Sequence, residues 1–285
     1  MTARTKTVTE SRVGGLEDSS GLAITMEGVR HGFAKNDRVV RALWDLDLTI
    51  EPGQFVSVVG PSGCGKTTLL TMISGLTRPR QGSVKIDGRE VTGPSPEVAY
   101  MLARDALLPW RTVRANVELG LEIRKADKAL RRARSEEWLG RVGLSDFADA
   151  RIGELSQGMR QRVAVARTLA LEPSILLMDE PFAALDAQNR LMQQQEFLGL
   201  WEKHRSTVLL VTHDLTEAIS LSDRVVLISH RPGRVIADLT IDIPRPRDID
   251  IDHGHAKFDL YYEKLHGLLK EEVKAQVRRV EEAKL

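Results

Sequence analysis

The chain has 285 residues, 42% hydrophobic and 28% charged, the proportions of an ordinary globular protein long enough for one large domain or two small ones. A net charge of +1 excludes a protein built mainly around nucleic-acid phosphates, and a single cysteine, Cys64, excludes an internal disulfide framework and fits a reducing compartment. No apolar run approaches the roughly 20 residues of a membrane span, so no segment is expected to cross a bilayer, and the N-terminus has no apolar core of the signal-sequence kind.

Residues 1–20 are polar and Ser/Thr-rich, and a disordered tail is expected there. From Leu22 the pattern turns strand-like in "LAITMEGV", "LWDLDLTI" and the fully apolar "FVSVVG", the last reading as a buried strand. Further strands are expected at "SVKIDG", "VAYML", "SILLMD", "TVLLVT" and "RVVLIS". Helical patterns lie between them at about 113–142, 157–171, 187–204 and 215–221. Apolar strands alternating with helices predict an α/β sheet covered on both faces. The stretch from about 104 to 160 carries no strand signal and many charges, so it reads as a helical insertion. After the proline-broken "IDIPRPRDID", residues 246–285 hold a linker and an amphipathic helix with Phe258, Tyr261, Leu265, Leu268 and Leu269 on one face. That face either docks on its own domain or meets a partner. No internal repeat is evident, so one such unit and not a tandem pair is expected, at residues 21–245.

The reading as a nucleotide-binding unit rests first on "GPSGCGKTT" at Gly60–Thr68, which matches G-x-x-x-x-G-K-[ST] between a strand and a helix. Gly60, Pro61, Ser62, Gly63, Cys64, Gly65, Lys66, Thr67 and Thr68 would wrap phosphate, because glycines let successive amide N–H groups converge on anionic oxygens. The helix N-terminus adds partial positive charge. Lys66 should reach the β- and γ-phosphates and Thr67 should ligate Mg²⁺. Cys64 reads as filler at a variable position of the loop.

Downstream, "SILLMDEPFAALD" ends an apolar strand in two adjacent acids. Side chains alternate along a strand, so the two can take different tasks: Asp179 holding the Mg²⁺ shell, Glu180 polarising the attacking water. Between the phosphate loop and these acids stands "ELSQGMRQRVAVARTLA", where Ser156, Gln157 and Gly158 open a helix and offer a second anion-binding N-terminus. One nucleotide cannot easily use both sites of one chain. A head-to-tail homodimer, each chain capping the nucleotide of the other, resolves this.

Here the chain resembles the ATP-binding cassette family over about residues 22–245. "LSQGMRQR" is similar to its signature motif, with Gln157 where glycine is more usual. "FAALDA" resembles its D-loop, carried by Asp186, and "VTHDLTEA" resembles its switch region, which implies His213 beside the γ-phosphate. Phe33 falls where the family stacks an aromatic on adenine; a lone phenylalanine is otherwise a core residue. The resemblance implies a P-loop, RecA-like core with an antiparallel β subdomain and a helical insertion, ATP as substrate, and Mg²⁺ on Thr67 and Asp179. Lys66, Glu180 and His213 would be catalytic. It also implies a membrane permease docked on "DALLPWRTV", near Leu107, Leu108 and Trp110, with Leu107 open to a packing role instead.

"ALLPWRTV", "MDEPFAALDA" and "RPGRV" at Arg231–Val235 look like the branch importing nitrate, sulfonate, taurine and bicarbonate, which implies a solute-binding protein further out and a peripheral location on the cytoplasmic face of the inner membrane. One departure stands out. Ala103 occupies the place where the family carries a Mg²⁺- or water-contacting glutamine, so slowed hydrolysis is expected, with Asp105 or a water as a substitute. The rival readings are a weakly hydrolysing regulatory subunit and a soluble cassette ATPase acting away from membranes.

Overall fold

Phe55 to Val59 shows how the sequence builds this fold. The computed structural model describes residues 21–35, 38–102, 105–183, 185–249 and 256–282. The expected N-terminal tail and Ala103 lie outside them. In strand β3 (Phe55–Val59), Val56 and Val58 enter one core while Phe55 enters another on the opposite face. Strands β7 (Ile175–Asp179) and β8 (Thr207–Thr212) alternate likewise: Leu176, Met178, Val208 and Leu210 face one layer, Ile175, Leu177, Leu209 and Val211 the other. A strand buried on both faces is apolar except where a polar side chain is paired inside, as Ser57 is with Ser222, which is why the sequence shows runs rather than alternation here.

These strands form a six-stranded sheet ordered β10-β9-β3-β8-β7-β6, with β6 (Val98–Met101), β9 (Arg224–Ile228) and β10 (Val235–Thr240) completing it. The pairings from β9 to β6 are parallel, and β10 closes the edge antiparallel to β9. A second, antiparallel sheet is ordered β2-β1-β4-β5, from β1 (Ile24–Lys35), β2 (Arg38–Ile50), β4 (Gln81–Ile86) and β5 (Arg89–Glu90). Helix α1 (Lys66–Ile73) shares one core with both sheets through Leu69, Leu70, Met72 and Ile73. The loop ahead of α1 is therefore held from two sides.

Between β6 and β7 the described chain is helical: α2 (Val113–Val117), α3 (Leu119–Ile123), α4 (Lys128–Arg141) and α5 (Gln157–Leu169). The single helix expected at 113–142 is broken because Lys125 turns left-handed at φ 57° and Asp127 starts a new helix, its side chain accepting from the Leu130 amide at 3.0 Å. Helices α6 (Ala187–His204) and α7 (Leu215–Leu221) follow β7 and β8. The C-terminal helix α8 (Ala256–Glu282) lays Phe258 and Leu265 into a core with α7 and β10, and Tyr261, Leu268 and Leu269 pack at its edge. Each fully buried side chain of this kind stabilises docking by roughly 1.5–3 kcal/mol. Among the described residues, no helix is long and apolar enough to cross a membrane.

Candidate active site

The loop Gly60–Thr68 turns sharply enough that two of its glycines have no substitute. Gly65 caps α1 at φ 108°, and a Cβ there would lie 2.7 Å from the Leu43 side chain. Gly63 sits at φ 76° on the crest. Lys66 is buried and folds back on the loop, its Nζ donating to the carbonyls of Gly60 at 2.7 Å and Pro61 at 3.2 Å. Cys64 faces the core, and burial pushes its thiol above the ordinary range.

At the end of β7 the two adjacent acids diverge. Thr67 Oγ1 donates to Asp179 Oδ1 at 3.4 Å, and the Tyr100 hydroxyl donates to Oδ2 at 3.3 Å. Burial raises the Asp179 pKa, opposed by these two hydrogen bonds; burial beside that carboxylate also raises the pKa of Tyr100. A threonine hydroxyl and a carboxylate brought together are the hard oxygen donors that Mg²⁺ takes. Glu180 leaves the strand at φ 46°, an uncommon backbone for a residue with a side chain, and its Oε2 meets His213 Nδ1 at 3.1 Å. The cleft over the loop is lined by Phe33, Ser62, Gly63, Lys66, Thr67 and Glu180, with Ala42, Gly65, Thr68 and Arg231. Phe33 is half exposed and meets His31 edge-on, so it is an accessible ring and not a core residue.

The second expected site is a separate cleft. Ser156 caps α5, accepting from the Met159 amide at 3.3 Å, and lines that cleft with Gln157, Gly158, Asp186 and Asn189. Gln157 is the first residue of α5 and is exposed. Asp186 caps α6, accepting from the Asn189 amide at 3.1 Å. None of Ser156, Gln157, Gly158 or Asp186 lines the cleft over Lys66.

Leu107 is buried, which removes it from the exposed docking set; Trp110 is 69% exposed, Pro109 exposed and Leu108 intermediate. Leu102, just ahead, is exposed as well. The loop is fastened by Asn116, which exchanges hydrogen bonds with the Leu108 backbone at 2.7 and 3.1 Å. Asp105, one suggested substitute for the missing glutamine, instead pairs with Arg160 Nε on α5 at 3.3 Å. Sequence reasoning missed Tyr100, Arg231 and Gln161, whose Nε2 donates to the Pro181 carbonyl at 2.5 Å, next to Glu180. "RPGRV" was visible as a motif, but nothing in its spacing ties it to the phosphate loop.

Comparison with known proteins identifies the family. Residues 43–183 match the family model described as "ABC transporter". An uncharacterized ABC transporter ATP-binding protein of Methanocaldococcus jannaschii, MJ0412, is 45% identical over 256 residues, 90% of this chain and 94% of its own length. The bicarbonate transport ATP-binding protein CmpD of Synechocystis is 41% identical over 230 residues, 80% of this chain and 82% of its own. The structure of the ATP-binding cassette MJ0796, a dimer in a post-hydrolysis state with ADP and Pi, superposes with a TM-score of 0.68 at 31% identity, covering 78% of this chain and all of that one. Relatives spanning nearly the whole sequence and a fold shared with a complete cassette thus lead to one conclusion: this chain belongs to the ABC transporter family and is an ATP-hydrolysing cassette of it.

Proposed function

We propose that the chain powers import of a small oxyanion or related solute, of the nitrate, sulfonate, taurine or bicarbonate kind, as a peripheral subunit on the cytoplasmic face of a membrane permease. The observation that carries this is the 41% identity to a bicarbonate transport ATP-binding protein over 82% of that protein. Exposed Trp110 and Pro109 on a fastened loop supply the apolar surface a permease would cover. A solute-binding protein would act at the far side of the permease.

In this reading two ATP molecules lie between two copies of the chain. Each is held by Phe33, Gly60–Thr68, Asp179, Glu180 and His213 of one copy and closed by Ser156, Gln157 and Gly158 of the other, with Asp186 at the seam. The two clefts of one chain share none of these residues, which supports closure by a second copy. Mg²⁺, when bound between Thr67 and Asp179, would neutralise phosphate charge. Lys66 exchanges its carbonyl partners for the β- and γ-phosphate oxygens. Glu180 accepts a proton from water as the water oxygen bonds to the γ-phosphorus and the bond to the bridging oxygen breaks, its electron pair leaving with ADP. His213 holds Glu180 through Nδ1, leaving Nε2 for the γ-phosphate.

The test is ATP turnover and uptake of labelled bicarbonate, nitrate and taurine in vesicles carrying the chain with its permease. Glu180→Gln is expected to lower turnover about a hundredfold or more while ATP stays bound. Undiminished turnover would remove Glu180 as the base, and turnover with no uptake of any of the three would remove this importer assignment.

A further inference from the structure

Arg231 lies on the turn between β9 and β10, 168 positions from Gly63 of the phosphate loop, yet it lines the same cleft as Lys66 and Glu180. Three close approaches put it there. The Ile228 carbonyl is so near Gly60 that a Cβ at Gly60 would sit 2.6 Å from it. Gly233 packs on the Cys64 carbonyl, where its own Cβ would be 2.2 Å away. Gly233 also bonds to β2, donating to the Ala42 carbonyl at 2.8 Å and accepting from the Trp44 amide at 3.0 Å. The turn is thus bolted to the phosphate loop and to the antiparallel sheet, and Ser229 closes it by accepting from the Arg234 amide at 3.0 Å.

From this support the guanidinium reaches across the crest of the loop. Its Nε donates to the Gly63 carbonyl at 3.0 Å, and Nη2 lies 3.1 Å from where a Gly63 Cβ would be. A side chain at 63 would crowd that guanidinium, and the φ of 76° favours glycine there. A guanidinium has five donors in a fixed fork, and the Gly63 carbonyl takes one. Arg190, Arg224 and Arg245 each sit within 4 Å of a carboxylate, whereas among the described residues no carboxylate lies in that range of Arg231. An exposed arginine fixed at its base, without a counter-charge and open to a phosphate cleft, is arranged to take an anion.

We propose that Arg231 is a nucleotide-binding residue: Nε stays on the Gly63 carbonyl while the two Nη groups take phosphate oxygens of the bound nucleotide. Lys66 then meets the phosphates from inside the loop and Arg231 from over its crest. This rests on the cleft being the ATP site, and the test separates the two claims. Binding of ATP, ADP and adenosine is measured for the wild-type chain, Arg231→Gln, Arg231→Lys and Lys66→Ala. Arg231→Gln keeps a donor for the Gly63 carbonyl but no charge, and is expected to weaken ATP about tenfold while leaving adenosine unchanged. Arg231→Lys should fall between, since it restores charge without the fork. Should a variant lose unliganded stability, the rise in Tm on adding ATP, compared with adenosine, reads the same difference.

Wild-type ATP affinity in Arg231→Gln, or an equal loss for ATP and adenosine, would make Arg231 a strut of the loop and overturn the proposal. If Lys66→Ala also bound ATP as the wild type does, the cleft itself would be misassigned and the proposal would fall with it.

Discussion

Glu217, on the first turn of α7, is a carboxyl group 5% exposed, directly beneath the segment that carries His213. Gln194 Nε2 donates to its Oε1 at 2.9 Å. Burial raises its pKa to about 7 and Asp214 adds to the rise, while hydrogen bonds from Thr212 and Gln194 and the charge of Arg190 oppose it. An acid raised in the folded state contributes stability that is fully present below its unfolded pKa, here 4.5, and lost as pH rises through about 7. Glu217→Gln keeps the acceptor and removes the titration. Its stability relative to the wild type, from urea unfolding, should therefore grow between pH 5 and pH 8, by at most about 3 kcal/mol at 1.36 kcal/mol per pKa unit. Other carboxylates titrate in both proteins and cancel in the difference. Parallel stability curves would show that Glu217 is ionised in the folded chain at pH 5.

At the scale of elements, the loop carrying Trp110 is strapped to α5, the helix that opens with Ser156 and Gly158. Arg167 of α5 donates to the carbonyls of Asp105 at 2.6 Å and Ala106 at 2.7 Å, and Arg151, ahead of the helix, to that of Trp110 at 2.5 Å. Ala106 is held at φ 45°, an uncommon backbone for a residue with a side chain. A permease bearing on this loop would therefore bear on α5 near its C-terminal end through Arg167 and nearer its start through the Asp105–Arg160 ion pair at 3.3 Å. Arg167→Ala should leave the basal ATPase rate of the isolated chain within about twofold and cut stimulation by a permease about tenfold, because it removes coupling but no group of the cleft. Unchanged stimulation in reconstituted vesicles would show that the strap carries no signal. Elements of this kind were legible where the signal is local: the apolar runs of β3, β7 and β8 and the contiguous loop Gly60–Thr68 could be read directly. Strand β10 was not, because "VIADLT" is half exposed along an edge and has no buried run. Tyr100 and Arg231 were hidden for a different reason. They reach the site only because β6 pairs with β7 and β9 with β3, pairings that join residues 77 or more positions apart.

For the whole molecule, the separation of the two clefts gives a test that no single-chain mechanism passes. Lys66 serves the cleft of its own copy, whereas Gly158 would serve the cleft of the neighbour in an isologous pair. Lys66→Ala and Gly158→Asp should each abolish turnover, since a homodimer of either has two defective sites. A mixed dimer differs: the chain with Gly158→Asp still supplies an intact Lys66, and the chain with Lys66→Ala supplies an intact signature turn to close it. One of its two sites is whole. Co-expression in equal amounts makes half the dimers mixed, so turnover should return to about a quarter of the wild-type rate, less where the two sites must fire together. If each chain used its own signature turn, no mixture of the two variants would recover activity. If the signature turn were not part of the site, Gly158→Asp alone would remain active. The recovered fraction therefore reports which copy closes which nucleotide, a property that belongs to the pair of chains and to neither one alone.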